Sequence, residues 1–311
     1  MIDALSKAVF GTLAGSDTLK HLASRYGMRS PRSFARRFVA GETVEEAIAA
    51  ARALEAQGLA QTLDLLGESV DTAAAAQAAT GALRAMIPRV AEAGIGRNIS
   101  IKLTQLGLEL SESLAETNLR AVVEQAAGHD CFVRIDMENS PFVAPTLAIF
   151  ERVWRSGLNN AGVVLQSALK RTDEDLDRVL ALGARVRLVK GAYKEPSAVA
   201  WQAKAEVDAA YVRLLERLLP AGVFPAIATH DPDMIGAARR IARDTGVAAD
   251  RFEFQMLFGV RRDLQASLRT EGFGVRVYIP YGREWFPYFM RRLGERPANV
   301  AFVLKSLLRE R

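Results

Sequence analysis

Across 311 residues the chain has a single cysteine, Cys131, and only three histidines. A lone thiol forms no internal disulfide, so nothing points to an oxidising compartment, and a reducing cytosol is the expected setting. No HExxH or CxxC spacing occurs, which argues against a zinc site, and no metal is expected. No segment reaches the roughly 18 uninterrupted apolar residues of a membrane span. The first fifteen residues also lack the clean apolar run of a secretion signal, so the chain is read as neither secreted nor integral to a membrane. No glycine-rich or proline-rich linker divides the sequence, which argues against two domains even though the length would allow them. Half of the residues are hydrophobic and a quarter charged, with aromatics at 7%. That composition supplies a core and excludes disorder as the main state. The charge excess is small, 41 Lys plus Arg against 36 Asp plus Glu, a net of +5 that hints at an anionic partner.

The first 60 residues read as helical. Thr43 with Glu46 forms a capping box that opens an Ala-rich run to Ala56, and Gly58 stops it. Ser30-Pro31 marks an earlier boundary, with Arg32, Arg36 and Arg37 on the helix that follows. Thereafter short apolar runs alternate with longer amphipathic stretches. The runs begin near Leu63, Asn98, Cys131, Gly162, Arg185, Val223, Phe252 and Val275, at intervals of 23 to 38 residues. Each interval holds a strand, a helix and two loops, and eight such units in series predict a closed α/β barrel of the (β/α)8 type. One intervening helix is expected to open at Thr172-Asp173-Glu174-Asp175 and to end at Gly183. The division expected is a helical preface over 1–60 and a barrel over 61–311.

Nearly every run ends in a charged or hydrogen-bonding residue. In order these are Glu68; Lys102 and Thr104; Asp136 and Glu138; Gln166; Arg187 and Lys190; Thr229, His230 and Asp231; Gln255; and Tyr278. Reacting groups of such barrels sit at the C-terminal ends of strands. Alternation puts Arg134 and Asp136 on one face and Ile135 and Met137 on the other, so charges must enter the barrel or its mouth. Lys102, Asp136 and Arg187 can neutralise one another there, and each alone would suit a purely structural network. Eight strands doing so together favour a polar site for an anionic ligand. Beyond the last run, a helix from about Pro287 would carry Tyr288, Arg291, Arg292 and Glu295 on one face. Paired guanidiniums suit bidentate capture of a carboxylate or phosphate, although a solvated helix with Glu295 pairing an arginine is the plainer alternative.

These residues carry a resemblance. SIKLTQLG with Lys102, RIDMEN with Asp136, VLQS with Gln166, RLVKGAY from Arg187 to Tyr193, ATHD from Ala228 to Asp231, FEFQML with Gln255 and Leu257, VYIPYG with Tyr278, and YxxRRxxE from Tyr288 to Glu295 fall in order, one on each run from the second to the eighth and the last on the helix beyond. Together they resemble the proline dehydrogenase family, FAD enzymes with a distorted (β/α)8 TIM barrel and a C-terminal helix that covers the substrate. The chain looks like a bacterial monofunctional member. The resemblance implies that Arg291 and Arg292 bind the carboxylate of L-proline with help from Lys102. It implies that Tyr278, Tyr288 and Leu257 wall the ring, that Tyr278 crowds any 4-hydroxyl, and that Glu295 pairs with Arg291 to close the helix. FAD is expected to contact Met137, Gln166, Arg187, Lys190, Gly191, Ala192, Thr229, His230 and Gln255. Asp136 and Arg187 are the expected catalytic pair, with Arg187 stabilising the reduced flavin and Asp136 pairing with Lys102. The implied reaction is hydride transfer from C5 of proline to flavin N5, giving Δ1-pyrroline-5-carboxylate. Electrons would pass to a membrane quinone through a peripheral contact with the inner membrane, and the product would go to a separate pyrroline-5-carboxylate dehydrogenase.

One departure stands out: Lys194-Glu195-Pro196 follows Tyr193 where larger bifunctional members usually have a tryptophan, which leaves the adenine end of the FAD site undefined. A rival enzyme reading is a flavin-free aldolase using Lys102 or Lys190 as a Schiff-base amine. A nucleic-acid binder using Arg36, Arg37, Arg239, Arg240, Arg261 and Arg262 fits poorly, because these dyads are scattered without interleaved aromatics, and no nucleic acid is expected as a partner.

Overall fold

Each of the eight apolar runs folds as a short strand in a computed structural model that describes Met28 and residues 33–294. The strands are β1 (Ala60–Leu65), β2 (Asn98–Ile101), β3 (Phe132–Ile135), β4 (Ala161–Gln166), β5 (Arg185–Val189), β6 (Ala226–Ala228), β7 (Glu253–Leu257) and β8 (Gly274–Tyr281). All pair in parallel with their sequence neighbours, and β8 returns to β1, so the sheet closes into a barrel. The closing seam runs from Ala60 opposite Arg276 to Leu65 opposite Tyr281. Strands covered on both faces read as continuous apolar runs, and β4, buried at all six positions, is the clearest case.

The helices are α1 (Val44–Glu55), α2 (Ala73–Glu92), α3 (Glu112–Ala127), α4 (Ser140–Arg155), α5 (Thr172–Ala181), α6 (Lys204–Ala221), α7 (Pro232–Asp244), α8 (Arg262–Thr270) and α9 (Trp285–Gly294). Thr43 and Glu46 form the expected capping box on α1. Thr172 begins α5 but does not cap it: its hydroxyl donates to the Gln166 carbonyl at 2.5 Å. That bond fixes the end of β4 to the start of its helix. Of the early helix expected to carry three arginines, residues 34–37 form one 3-10 turn. Ser30, Pro31 and Arg32 lie outside the described residues.

The main core fills the space between strands and helices, with Ile99, Ile101, Val133, Ile135, Val163, Leu165, Val186 and Leu188 among its members. A second cluster sits apart, in which Trp285, Tyr288, Phe289 and Met290 of α9 pack with Leu66 and with Phe38 and Val39 of the preface. This cluster seats α9 beside the loop that leaves β1. The helix starts at Trp285, two residues earlier than expected, because Pro287 in the first turn needs no N–H partner. The preface also touches the β7–α8 loop so closely that a Cβ on Gly259 would stand 1.7 Å from the Arg37 carbonyl oxygen. Among the described residues no helix is long and apolar enough to cross a membrane.

Candidate active site

Inward-facing polar residues lie in two layers inside the barrel, followed by a ring of groups around its mouth. In the lower layer Glu253 accepts from Arg276 Nε at 2.8 Å and from Gln255 Nε2 at 2.5 Å, while Arg134 donates to the carbonyls of Val163 and Arg185. Burial pushes the Glu253 carboxyl up, but Arg276 outweighs it and holds the group below its ordinary value. Gln255, expected among the cofactor contacts, thus has its amide nitrogen committed to the carboxylate two residues before it.

The upper layer joins four strands. Arg187 donates to Asp136 Oδ1 at 2.6 Å and to Ser100 Oγ at 3.1 Å, and the Tyr278 hydroxyl donates to Asp136 Oδ2 at 2.7 Å. The guanidinium lies 5.4 Å from the Tyr278 ring centre. Its Nε is buried with no hydrogen-bond partner among the described residues. Burial, reinforced by the Asp136 charge, pushes the Tyr278 phenol well above its ordinary value, so it stays protonated and donates.

Lys102 was expected to pair with Asp136, and here the structure corrects the expectation. Its ammonium donates to Asp64 on β1 at 3.1 Å. Asp136 is occupied on both oxygens by Arg187 and Tyr278, which leaves Lys102 to take the carboxylate on the adjacent strand. Burial alone would pull the Lys102 ammonium down, but Asp64, then Asp136 and Glu68, outweigh it and hold the group above the ordinary lysine value. Asp64 is the main residue that sequence reasoning missed. A carboxylate two positions after Thr62 in a buried strand was the available signal, since alternation places both on the inward face.

Around the mouth, Glu68 accepts from Arg291 of α9 at 2.7 Å. The pairing expected for Arg291 was with Glu295, which lies outside the described residues. Arg292 stands over the Tyr288 ring at 5.1 Å, so the two arginines and both tyrosines gather on the side of the barrel where β1 and β8 end. Lys190 lies between Asp208 at 2.5 Å and Asp231 at 2.6 Å. Gln166 donates to the Glu138 carbonyl at 2.8 Å, and the Glu138 carboxylate accepts from Thr104 through both its amide and its hydroxyl. His230 Nε2 accepts from the Leu257 amide at 3.0 Å, and the Thr229 hydroxyl accepts from the Asp231 amide. Met137 is buried. Gly191 has φ +110°, and a Cβ there would come 3.1 Å from Gln166 Oε1. The exposed backbone of Gly191 and Ala192 can therefore approach a bound group closely.

This arrangement has a mouth where Arg291 and Lys190 meet carboxylates and Arg292 stands over Tyr288, a buried guanidinium with a donor to spare, and aromatic walls. Both lysines considered for Schiff-base chemistry are held by carboxylates, and for Lys102 the Asp64 charge disfavours the neutral amine that chemistry needs. Three of the arginines weighed as phosphate contacts are likewise paired with acids, Arg36 with Glu46, Arg239 with Glu271 and Arg261 with Asp263.

Comparison with known proteins gives a consistent picture. A family model described as proline dehydrogenase matches residues 47–305. Proline dehydrogenase 1 of Bacillus subtilis (strain 168) is 42% identical over 302 residues, covering 97% of this chain and 99% of that protein. A proline dehydrogenase of Deinococcus radiodurans is 42% identical over 313 residues, covering 99% and 100%. In fold, the chain matches a crystal structure of proline utilization A from Bdellovibrio bacteriovorus with a TM-score of 0.81 and 23% identity, over 93% of this chain and 36% of that one.

Proposed function

The chain belongs to the proline dehydrogenase family and is an enzyme of proline oxidation and catabolism, and from that premise we propose that it oxidises L-proline with FAD and delivers the electrons to a membrane quinone. The observation that carries this reading is the upper layer of the barrel. There Arg187, aligned by Asp136 and Ser100, keeps one buried N–H without a partner beneath a mouth lined by Arg291 and Arg292.

The residues present fit the cofactor. An unpaired buried donor calls for an acceptor from a ligand, and the backbone of Gly191 and Ala192 lies exposed beside Gln166. Arg187, Lys190, Gly191, Ala192, Met137, Gln166, Thr229, His230 and Gln255 would hold it. When bound, FAD supplies a two-electron acceptor for the hydride from C5 of proline, and loss of the nitrogen proton completes the C=N bond of Δ1-pyrroline-5-carboxylate.

The chain's own groups bind and orient the substrate. Arg291, held at the mouth by Glu68, and Arg292 would turn their guanidiniums to its carboxylate, and Lys102, kept charged by Asp64, adds an ammonium from below. Such an ammonium serves as an electrostatic contact and disfavours the aldolase alternative. Tyr278, its hydroxyl fixed to Asp136, offers its ring as a wall beside Tyr288 and Leu257, and its position limits room for a 4-hydroxyl. The product passes to a separate pyrroline-5-carboxylate dehydrogenase, and the enzyme works in the cytoplasm in peripheral contact with the inner membrane. The test is proline-dependent reduction of an artificial electron-acceptor dye by the purified protein, then of a quinone in vesicles. Dye reduction that is equal with and without proline would overturn the proposal.

A further inference from the structure

Beyond Tyr193 the chain crosses a loop in which residues 191–194 and 196–199 are all exposed and Glu195 alone is partly buried. The Glu195 side chain turns away from solvent to the start of α4. There Oε1 accepts the Ser140 amide at 2.7 Å and Oε2 accepts the Ser140 hydroxyl at 2.5 Å. The local residue in the capping position, Asn139, makes no side-chain capping bond. The carboxylate therefore caps a sixteen-residue helix from 55 positions away. A negative charge at that end also meets the positive end of the helix dipole.

The two loops joined in this way carry much of the proposed site. The loop after β3 holds Asp136, Met137 and Glu138, and the loop after β5 holds Gly191, Ala192 and Tyr193. Upstream, Lys190 is fixed by Asp208 and Asp231, and its carbonyl accepts the Ala168 amide at 2.8 Å. Downstream, Ala200 bridges to Leu169, and the Trp201 amide donates to the Ala168 carbonyl. Between these anchors Glu195 is the side chain that ties the span to the neighbouring loop, aided by Lys170 Nζ on the Ser197 carbonyl. An exposed span of nine residues costs considerable entropy to order, so a two-bond tie at its centre governs how far 191–194 can stray.

We infer that Glu195 is a positioning residue for the cofactor, which by capping α4 holds the 191–194 backbone over the site. The inference rests on the FAD reading above and adds a residue that touches neither substrate nor cofactor. The experiment compares the full-length holoenzyme with Glu195→Ala, Glu195→Gln and Ser140→Ala. Its readouts are amide hydrogen exchange over 191–199 and release of FAD followed by recovery of flavin fluorescence. Glu195→Ala is expected to speed exchange across the loop and to release FAD about fivefold faster or more, as suits the loss of two charge-assisted bonds at a partly exposed site. Glutamine can accept from the Ser140 amide and donate to its hydroxyl, so Glu195→Gln should stay within about twofold of wild type. Ser140→Ala, which leaves one bond in place, should fall between, and should add nothing in the Glu195→Ala background. Faster exchange with unchanged FAD release would overturn the positioning role, and unchanged exchange would overturn the tie itself. Wild-type protein that holds no FAD would overturn the cofactor reading, an outcome distinct from a flavin-bearing wild type that Glu195→Ala matches.

Discussion

Removing Asp64 should destabilise the barrel more than removing any exposed carboxylate, because Asp64 and Lys102 form an ion pair at 3.1 Å with side-chain exposures of 1% and 12%. At that separation the Coulomb attraction is about 5 kcal/mol for an effective dielectric near 20, and desolvation of both groups offsets much of it. Breaking such a pair from one side typically costs about 3 to 5 kcal/mol, since the remaining charge is left buried without its partner. For Asp64→Ala the lower end applies, about 3 kcal/mol, because Asp136 and Glu68 still act on the ammonium. Neither can replace Asp64 fully, since Asp136 is engaged by Arg187 and Tyr278 and Glu68 by Arg291. Lys102→Met should cost a comparable amount by stranding the carboxylate. The double variant Asp64→Ala with Lys102→Met should cost less than the two single losses summed, by roughly 2 kcal/mol or more of coupling. Urea unfolding of the four proteins measures all of this. Single-variant losses below about 0.5 kcal/mol, or strictly additive ones, would show that water screens the pair and would refute its role in the upper layer.

Three further outcomes follow from the same geometry. Arg291→Ala and Arg292→Met should each raise the proline KM by about tenfold or more, the loss of one charge-assisted contact, and near-normal KM in both would place the carboxylate elsewhere. Tyr211, Tyr278 and Tyr281 all have phenols raised first of all by burial. Their folded pKa values lie above the unfolded value of about 10, so the stability they contribute is present below that pH and is lost as pH rises beyond it. Ultraviolet titration should accordingly show at least these three of the six tyrosines ionising only with unfolding. Burial, against a weaker pull from Arg97, pushes the Cys131 thiol up to about 12. The native protein should resist a thiol-specific disulfide reagent at about pH 8 and react once unfolded. Rapid labelling of the native protein would show that the strand start opens.

Much of this architecture is written in local patterns. Parallel strands buried on both faces leave apolar runs, and glycines such as Gly58 and Gly183, both at positive φ, mark helix ends. Polar residues closing those runs pointed to the mouth of the barrel, where the structure gathers Lys102, Asp136, Arg187, Tyr278 and Arg291. Pairings were less legible, because they depend on competition in three dimensions. Lys102 turns to Asp64 while Asp136 takes Arg187 and Tyr278, and Arg291 meets Glu68 because α9 is seated beside the β1 loop by Trp285, Phe289 and Leu66. Gln255 binds Glu253 on its own strand because Arg276 draws that carboxylate into the lower layer. Glu195 stood in a segment that departs from the family pattern, but its pairing carried no local signal, since its partner lies 55 residues earlier at the end of another loop.

This barrel is expected to hold FAD, and L-proline to reduce it. The most direct measurement is the visible spectrum of the purified protein under anaerobic conditions before and after addition of L-proline. A yellow protein with an absorbance band at about 450 nm that proline bleaches is the expected result, as when a bound flavin accepts two electrons. A colourless protein, or a yellow one whose band proline leaves unchanged, would contradict it.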